Sequence, residues 1–194
     1  EQGAMNLAGM ASVIAIIHMS AHCLAKGCMF LTADGHFLSQ DTYNIKQTGF
    51  IKQAKFMAIG AVIASMSLCA IPPTSGYLSE WYAFQLFFHG FDLNSFVGRV
   101  VLAFFGTGLA LSSAIALAVF IKAFGIGLLG EPQKRINKPI LIRYKLSVFL
   151  IGSAVLALAI GMPWFIRVLN DFSIMNFGTD AVAKMHVGWV MVPL

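Results

Sequence analysis

Apolar positions in this chain come in long unbroken blocks, without the alternation of a half-buried strand or the one-sided stripe of a surface helix. Residues 5–33 form the first block, and a polar stretch with turn residues follows over 34–49. Residues 56–70 are apolar again, residues 81–88 are apolar and aromatic, and residues 100–121 and 146–166 carry no charged side chain. A helix needs roughly 20 apolar residues to cross the hydrocarbon core, so the pattern predicts an all-α membrane protein with about four transmembrane helices. The predicted spans are residues 5–33, 50–90 in broken form, 99–124 and 146–168. Residues 171–194 are expected to be a polar connector leading into a possible further membrane segment.

The second crossing is interrupted by Ala70-Ile71-Pro72-Pro73-Thr74-Ser75-Gly76-Tyr77-Leu78-Ser79-Glu80-Trp81. Proline removes a backbone donor and clashes with the preceding turn, so a helix arriving at Leu68 must break near Pro72 and Pro73, with Gly76 in the gap and a restart expected near Ser79. Loop charges decide how to count this stretch. Lys46, Lys52 and Lys55 precede it, and Lys134, Arg135, Lys138, Arg143 and Lys145 make a second basic cluster further on, whereas the loop around Asp92 is nearly neutral. Residues 81–88 would extend only ~12 Å as a helix. One discontinuous crossing puts both basic loops, 34–55 and 125–145, on the same side, which the positive-inside rule makes cytoplasmic. The third span is rich in small residues, among them Gly106, Gly108, Ser112 and Ser113, and is expected to pack inside a bundle.

Composition sharpens the class. The chain is 58% hydrophobic and 11% charged, with a mean hydropathy of +0.80, which excludes an ordinary soluble domain. The net charge of +5 reports orientation in a bilayer, so no nucleic-acid partner is expected. Cys23, Cys28 and Cys69 show no C-x-x-C spacing, so neither an iron–sulfur cluster nor a disulfide framework is indicated. No cofactor and no metal are expected here, and any redox chemistry belongs to another subunit. Glu1-Gln2-Gly3-Ala4 has no basic n-region and no initiator methionine, and the expectation is a portion of a larger protein.

Two constellations carry candidate chemistry. His18, His22 and Lys26 recur at intervals of four, which places them on one helix face, each ~6 Å further along the axis. Ionisable groups at membrane depth cost ~2.5–3.5 kcal/mol each, so a ladder of three belongs on the bundle interior or beside water. Imidazole accepts on one nitrogen and donates from the other, which suits a proton relay; the bland alternative is that these groups hydrogen-bond neighbouring helices. Zinc binding is disfavoured, because Met19 stands where the H-E-x-x-H pattern needs its glutamate. Glu80 is the second constellation. If the helix restarts at Ser79, Glu80 lies in its first turn, where the positive end of the dipole favours a carboxylate; the alternative is a simple cap at the membrane surface. Lys122, at the end of the third span, is either a relay member or a lysine that snorkels to the interface.

The segment His18-Met19-Ser20-Ala21-His22-Cys23-Leu24-Ala25-Lys26 and the Pro-Pro stretch through Glu80-Trp81 resemble the proton-conducting antiporter-like subunits of complex I, of Mrp-type antiporters and of membrane-bound hydrogenases. With Lys122-Ala123-Phe124-Gly125 and the run ending Gly130-Glu131-Pro132, the likeness extends to the large membrane subunit of formate hydrogenlyase and hydrogenase-4-type complexes, over about residues 9–163. This resemblance implies a C-terminal portion, residues 1–170, of a larger inverted-repeat bundle. It implies proton translocation through a second half-channel at Lys26 and Glu80, with His18 and His22 as relay partners and Lys122 as a weaker candidate. It further implies other membrane-arm subunits and a peripheral redox module as partners, in a prokaryotic inner membrane. An Mrp-like cation/proton antiporter subunit and a structural membrane anchor are the alternative functions.

Overall fold

Among the described residues, five α-helices build four crossings. The computed structural model describes residues 2–40, 54–123, 130, 138–181, 183 and 185. Lys46 and Lys52 of the first basic loop, Phe124, Gly125, Glu131, Pro132, Lys134 and Arg135 of the second, and residues 186–194 lie outside the described residues. The helices are α1 (Gln2–Gln40), α2 (Lys55–Leu68), α3 (Ser75–His89), α4 (Phe96–Lys122) and α5 (Ile142–Phe177), with a 3₁₀ turn over Gly90–Asp92. Within that set, Gly3–Ser39, Phe96–Lys122 and Ile142–Phe177 are each long and apolar enough to cross a membrane, and Lys55–Leu68 is a shorter apolar helix.

The broken crossing runs antiparallel along α1. Met57 packs beside Gly35, Cys28 donates to the Gly60 carbonyl, Ser65 reaches Met29, and His18 meets Ser79. Past the break, Asn6 and Met10 share a small cavity with His89 and Asp92. Ascending α2 and α3 in sequence therefore descends α1 without reversal, the arrangement of a single discontinuous crossing. At 1.5 Å per residue its two pieces are ~21 Å and ~22 Å long. α5 runs the same way as this crossing: Tyr144 donates to Asp34 near the end of α1, and Ile166 packs in the cluster with Met10. The far end of α1 and the starts of α2 and α5 thus lie at one end of the bundle, as a broken second crossing requires.

α1 and α5 both outrun their apolar blocks. α1 continues through Asp34 and His36 to Gln40, because Gly35 seats Met57 and Tyr144 and Asp34 accepts from Tyr144 at 2.9 Å. α5 passes through Pro163 and ends at Gly178, whose φ of 63° closes the helix in the left-handed form.

Packing falls into two apolar clusters. Met10, Val13 and Ile17 meet Leu78, Tyr82, Met162 and Ile166 in one, and Ala25 and Cys28 meet Met57, Ala64, Val148 and Val155 in the other. Cys28 ties the second together by donating to the carbonyls of Gly60 at 3.5 Å and Val148 at 3.4 Å. Gly60 and Gly152 let α2 and α5 touch backbone to backbone, since a Cβ on Gly152 would come within 2.6 Å of Gly60 Cα.

Within this chain α4, the third predicted span, meets its neighbours along one side. No residue of α4 is buried among the described residues. Its small residues admit a neighbour on one side only: Gly106 lies against Phe87 of α3, and Leu102 against Gly90. Phe104, Phe105, Leu111 and Ile115 remain exposed.

Candidate functional site

The break over residues 69–74 is held open by specific bonds. Ala70 turns α2 off with φ 50°, a left-handed conformation for which glycine is the usual occupant. Pro72 and Pro73 come next and are exposed. Thr74 then caps α3: its hydroxyl donates to Ile71 O at 2.7 Å and accepts from the Tyr77 N–H at 3.5 Å. Because Thr74 supplies the cap, the helix resumes at Ser75, four residues before the restart expected at Ser79. Gly76 consequently lies in the first turn of α3 and not in the gap. It has a positional reason to be glycine: a Cβ there would strike the Ser67 carbonyl, and its N–H donates to Ser67 Oγ at 3.0 Å.

The early restart also moves Glu80. It is the sixth residue of α3, and no acid occupies the first turn, so the helix dipole acts on it less than a first-turn placement implied. Nine residue steps along α3, or ~14 Å of helix, separate Glu80 from His89, which sets Glu80 near the break and far from the His89 end of α3.

His18, His22 and Glu80 converge. All three line one cavity of about 20 Å³ together with Ala21, Ser67, Leu68, Gly76 and Ser79. A space of roughly 10–15 Å³ on this measure holds a water, so one water fits between the imidazoles and the carboxylate. The cavity sits in the layer between the two apolar clusters, where α1 crosses the break. His18 Nδ1 lies 3.1 Å from Ser79 Oγ. Ser79 Oγ is also 2.8 Å from the Gly76 carbonyl, to which it donates, so the hydroxyl can serve His18 as well as its own helix. The His18 and His22 rings stack with centroids 5.8 Å apart.

Lys26 and Lys122 do not join this cavity. Lys26 is exposed one turn beyond His22, and Lys122 is exposed in the last turn of α4; neither makes a hydrogen bond or ion pair among the described residues. The Ser79 hydroxyl, read from the sequence only as a helix restart, lines the cavity, and Ser113 of α4 reaches its carboxylate from outside, donating to Glu80 Oε2 at 2.5 Å. Cys69 Sγ also reaches α4, at 3.7 Å from Ala116 O. At the opposite end of α3, His89 Nδ1 and Asp92 Oδ2 pair at 3.3 Å beside Asn6 and Met10.

An apolar bundle with a discontinuous helix, whose half-buried carboxylate lines a cavity with the half-buried His18 and the exposed His22 of the neighbouring helix, defines a class of integral membrane proteins with ionisable groups at a helix break. Residues 3–112 match the family described as "NADH:quinone oxidoreductase/Mrp antiporter, TM", and the chain belongs to that family. It is 28% identical over 174 residues to formate hydrogenlyase subunit 3 of Escherichia coli (strain K12), which covers 88% of this chain and 28% of that protein. Hydrogenase-4 component B of the same organism is 28% identical over 61% of this chain and 18% of its own length. NADH-quinone oxidoreductase subunit N of Desulforudis audaxviator (strain MP104C) is 38% identical over 35% of this chain and 14% of its own. The chain thus spans less than a third of the length of these relatives.

Proposed function

We propose that this chain forms part of a proton-translocating membrane-arm subunit in a redox-driven complex of the hydrogenase or NADH-quinone oxidoreductase type. The observation that carries the reading is the convergence of His18, His22 and Glu80 on one water-sized cavity at the helix break. A proton taken up by the His18–His22 pair passes through a single water to Glu80 and leaves toward the Asp92 end of α3. Lys26, one turn from His22, acts on the pair through its charge and delivers or withholds the proton from the side of the basic loops. Lys122 is the outermost candidate on that side.

The relatives support the setting. Three are named as subunits of formate hydrogenlyase, hydrogenase-4 and NADH-quinone oxidoreductase, so the partners are other membrane-arm subunits and a peripheral redox module, in a prokaryotic inner membrane. The basic loops 34–55 and 125–145 face the cytoplasm in this reading. Residues 1–170 are the antiporter-like portion, and residues 171–194 are its polar connector toward a further membrane segment. The family description also covers Mrp antiporters, which favours a second reading as a cation/proton antiporter subunit; sodium-dependent flux without a redox substrate would select it.

The test is Glu80→Gln in the full-length protein within its complex, reconstituted into vesicles with a pH-sensitive dye. Loss of coupled proton movement with normal assembly is expected. Normal movement in that variant would sink the reading.

A further inference from the structure

Glu80 faces α4, and α4 answers with a single hydroxyl. Ser113 Oγ lies 2.5 Å from Glu80 Oε2 and 3.0 Å from the carbonyl of Leu109, one turn back on its own helix. A serine bonded to the carbonyl four residues earlier is ordinary in a membrane helix, and Ser112 likewise bonds only to Leu109 O, at 2.8 Å. Ser113 differs in having a second, shorter partner on another helix. A hydroxyl owns one proton and can accept as well as donate, so it satisfies both acceptors only in turn.

We propose that Ser113 is the positioning residue for Glu80, its hydroxyl changing partner each time the carboxyl gains or loses a proton. With Glu80 ionised, the Ser113 O–H donates to Oε2 and the Leu109 carbonyl keeps its helical bond and the one from Ser112. When a proton arrives on Glu80, the carboxyl O–H donates to Ser113 Oγ, and the Ser113 O–H rotates to Leu109 O. No proton leaves serine and no heavy atom needs to move: one proton enters, the hydrogen bond between Ser113 and Glu80 reverses its direction, and one from Ser113 to Leu109 O is gained. Both states of Glu80 are thus held in one geometry beside the cavity it shares with His18 and His22. A carboxylate that lost its partner in one state would swing away from the water path. The position of α4 gives Ser113 unusual weight, because that helix has no buried residue, and its other polar link to the break is the Cys69–Ala116 contact.

The inference rests on Glu80 carrying the proton, and the test separates the two. Ser113→Ala and Ser113→Thr are made in the full-length protein within its complex. Each is read by proton flux into vesicles and by infrared difference spectra of the protonated Glu80 carboxyl, whose band is assigned by its disappearance in Glu80→Gln. Ser113→Ala is expected to slow flux about tenfold, the scale of a hydrogen bond to a charged group, and to move the carboxyl band to higher frequency. Ser113→Thr, which keeps the hydroxyl, is expected to restore both. Wild-type flux with an unshifted band in Ser113→Ala would overturn the proposal, and so would equal losses in the alanine and threonine variants. Normal flux in Glu80→Gln together with a shifted band in Ser113→Ala would remove the transport role and leave the hydrogen-bond switch standing.

Discussion

His18 and Ser79 meet at 3.1 Å across the interface of α1 and α3, although 61 residues separate them in the chain. The bond ties the His18 ring to a hydroxyl that also donates to Gly76 O. It also locks the register of α1 against the restarted helix, so that His22 falls beside the cavity one turn further on.

Removing that hydroxyl should be felt in transport more than in folding. Ser79→Ala deletes two neutral hydrogen bonds, to His18 and to Gly76 O, each worth about 1 kcal/mol, and frees the His18 ring to rotate. Proton flux is expected to fall about fivefold with the complex still assembled, measured as dye quenching in vesicles under a potassium diffusion potential. Unchanged flux would show that the orientation of His18 does not matter.

The contact between α2 and α5 offers a control pair of glycines. A methyl group on Gly60 would run into the Val148 backbone, whereas nothing lies within 4 Å of a Cβ on Gly161. Gly60→Ala is expected to destabilise by about 1–3 kcal/mol through forced separation of the helices, and Gly161→Ala to be neutral. Thermal unfolding of the detergent-solubilised complex distinguishes them, and equal melting temperatures would contradict the packing described.

The lysines should rank by their distance from the cavity. Lys26→Met is expected to lower flux less than Glu80→Gln, because Lys26 is exposed and acts on the histidines from outside the cavity. Lys122, nine residues and ~13 Å along α4 from Ser113, is expected to tolerate methionine within about twofold, the scale of surface substitutions. A complete loss in Lys122→Met would place it on the path.

Much of this was readable from residue order, and the unread part has a common cause. Pro72 and Pro73 announced the break, because proline's missing donor is a local property, and loop charges were enough to fold two short helices into one crossing. The four-residue spacing of His18 and His22 placed them together, and Glu80 stood out as an acid flanked by apolar runs. The restart at Ser75 was missed because Thr74 is an equally good cap, and propensity alone does not choose between Thr74 and Ser79. Ser79 was read only as a helix restart, and Ser113 as a small packing residue; only the register of α1 on α3, and of α4 on α3, reveals their partners.

The central claim is that Glu80, reached from His18 and His22, carries translocated protons. Its most direct test is the number of protons moved per electron pair in vesicles containing the complex purified through this chain, driven by whichever donor the copurifying redox module oxidises. Glu80→Gln is expected to lower that ratio while redox turnover continues, and Glu80→Asp to retain part of it. A wild-type ratio in Glu80→Gln at equal turnover would contradict the account.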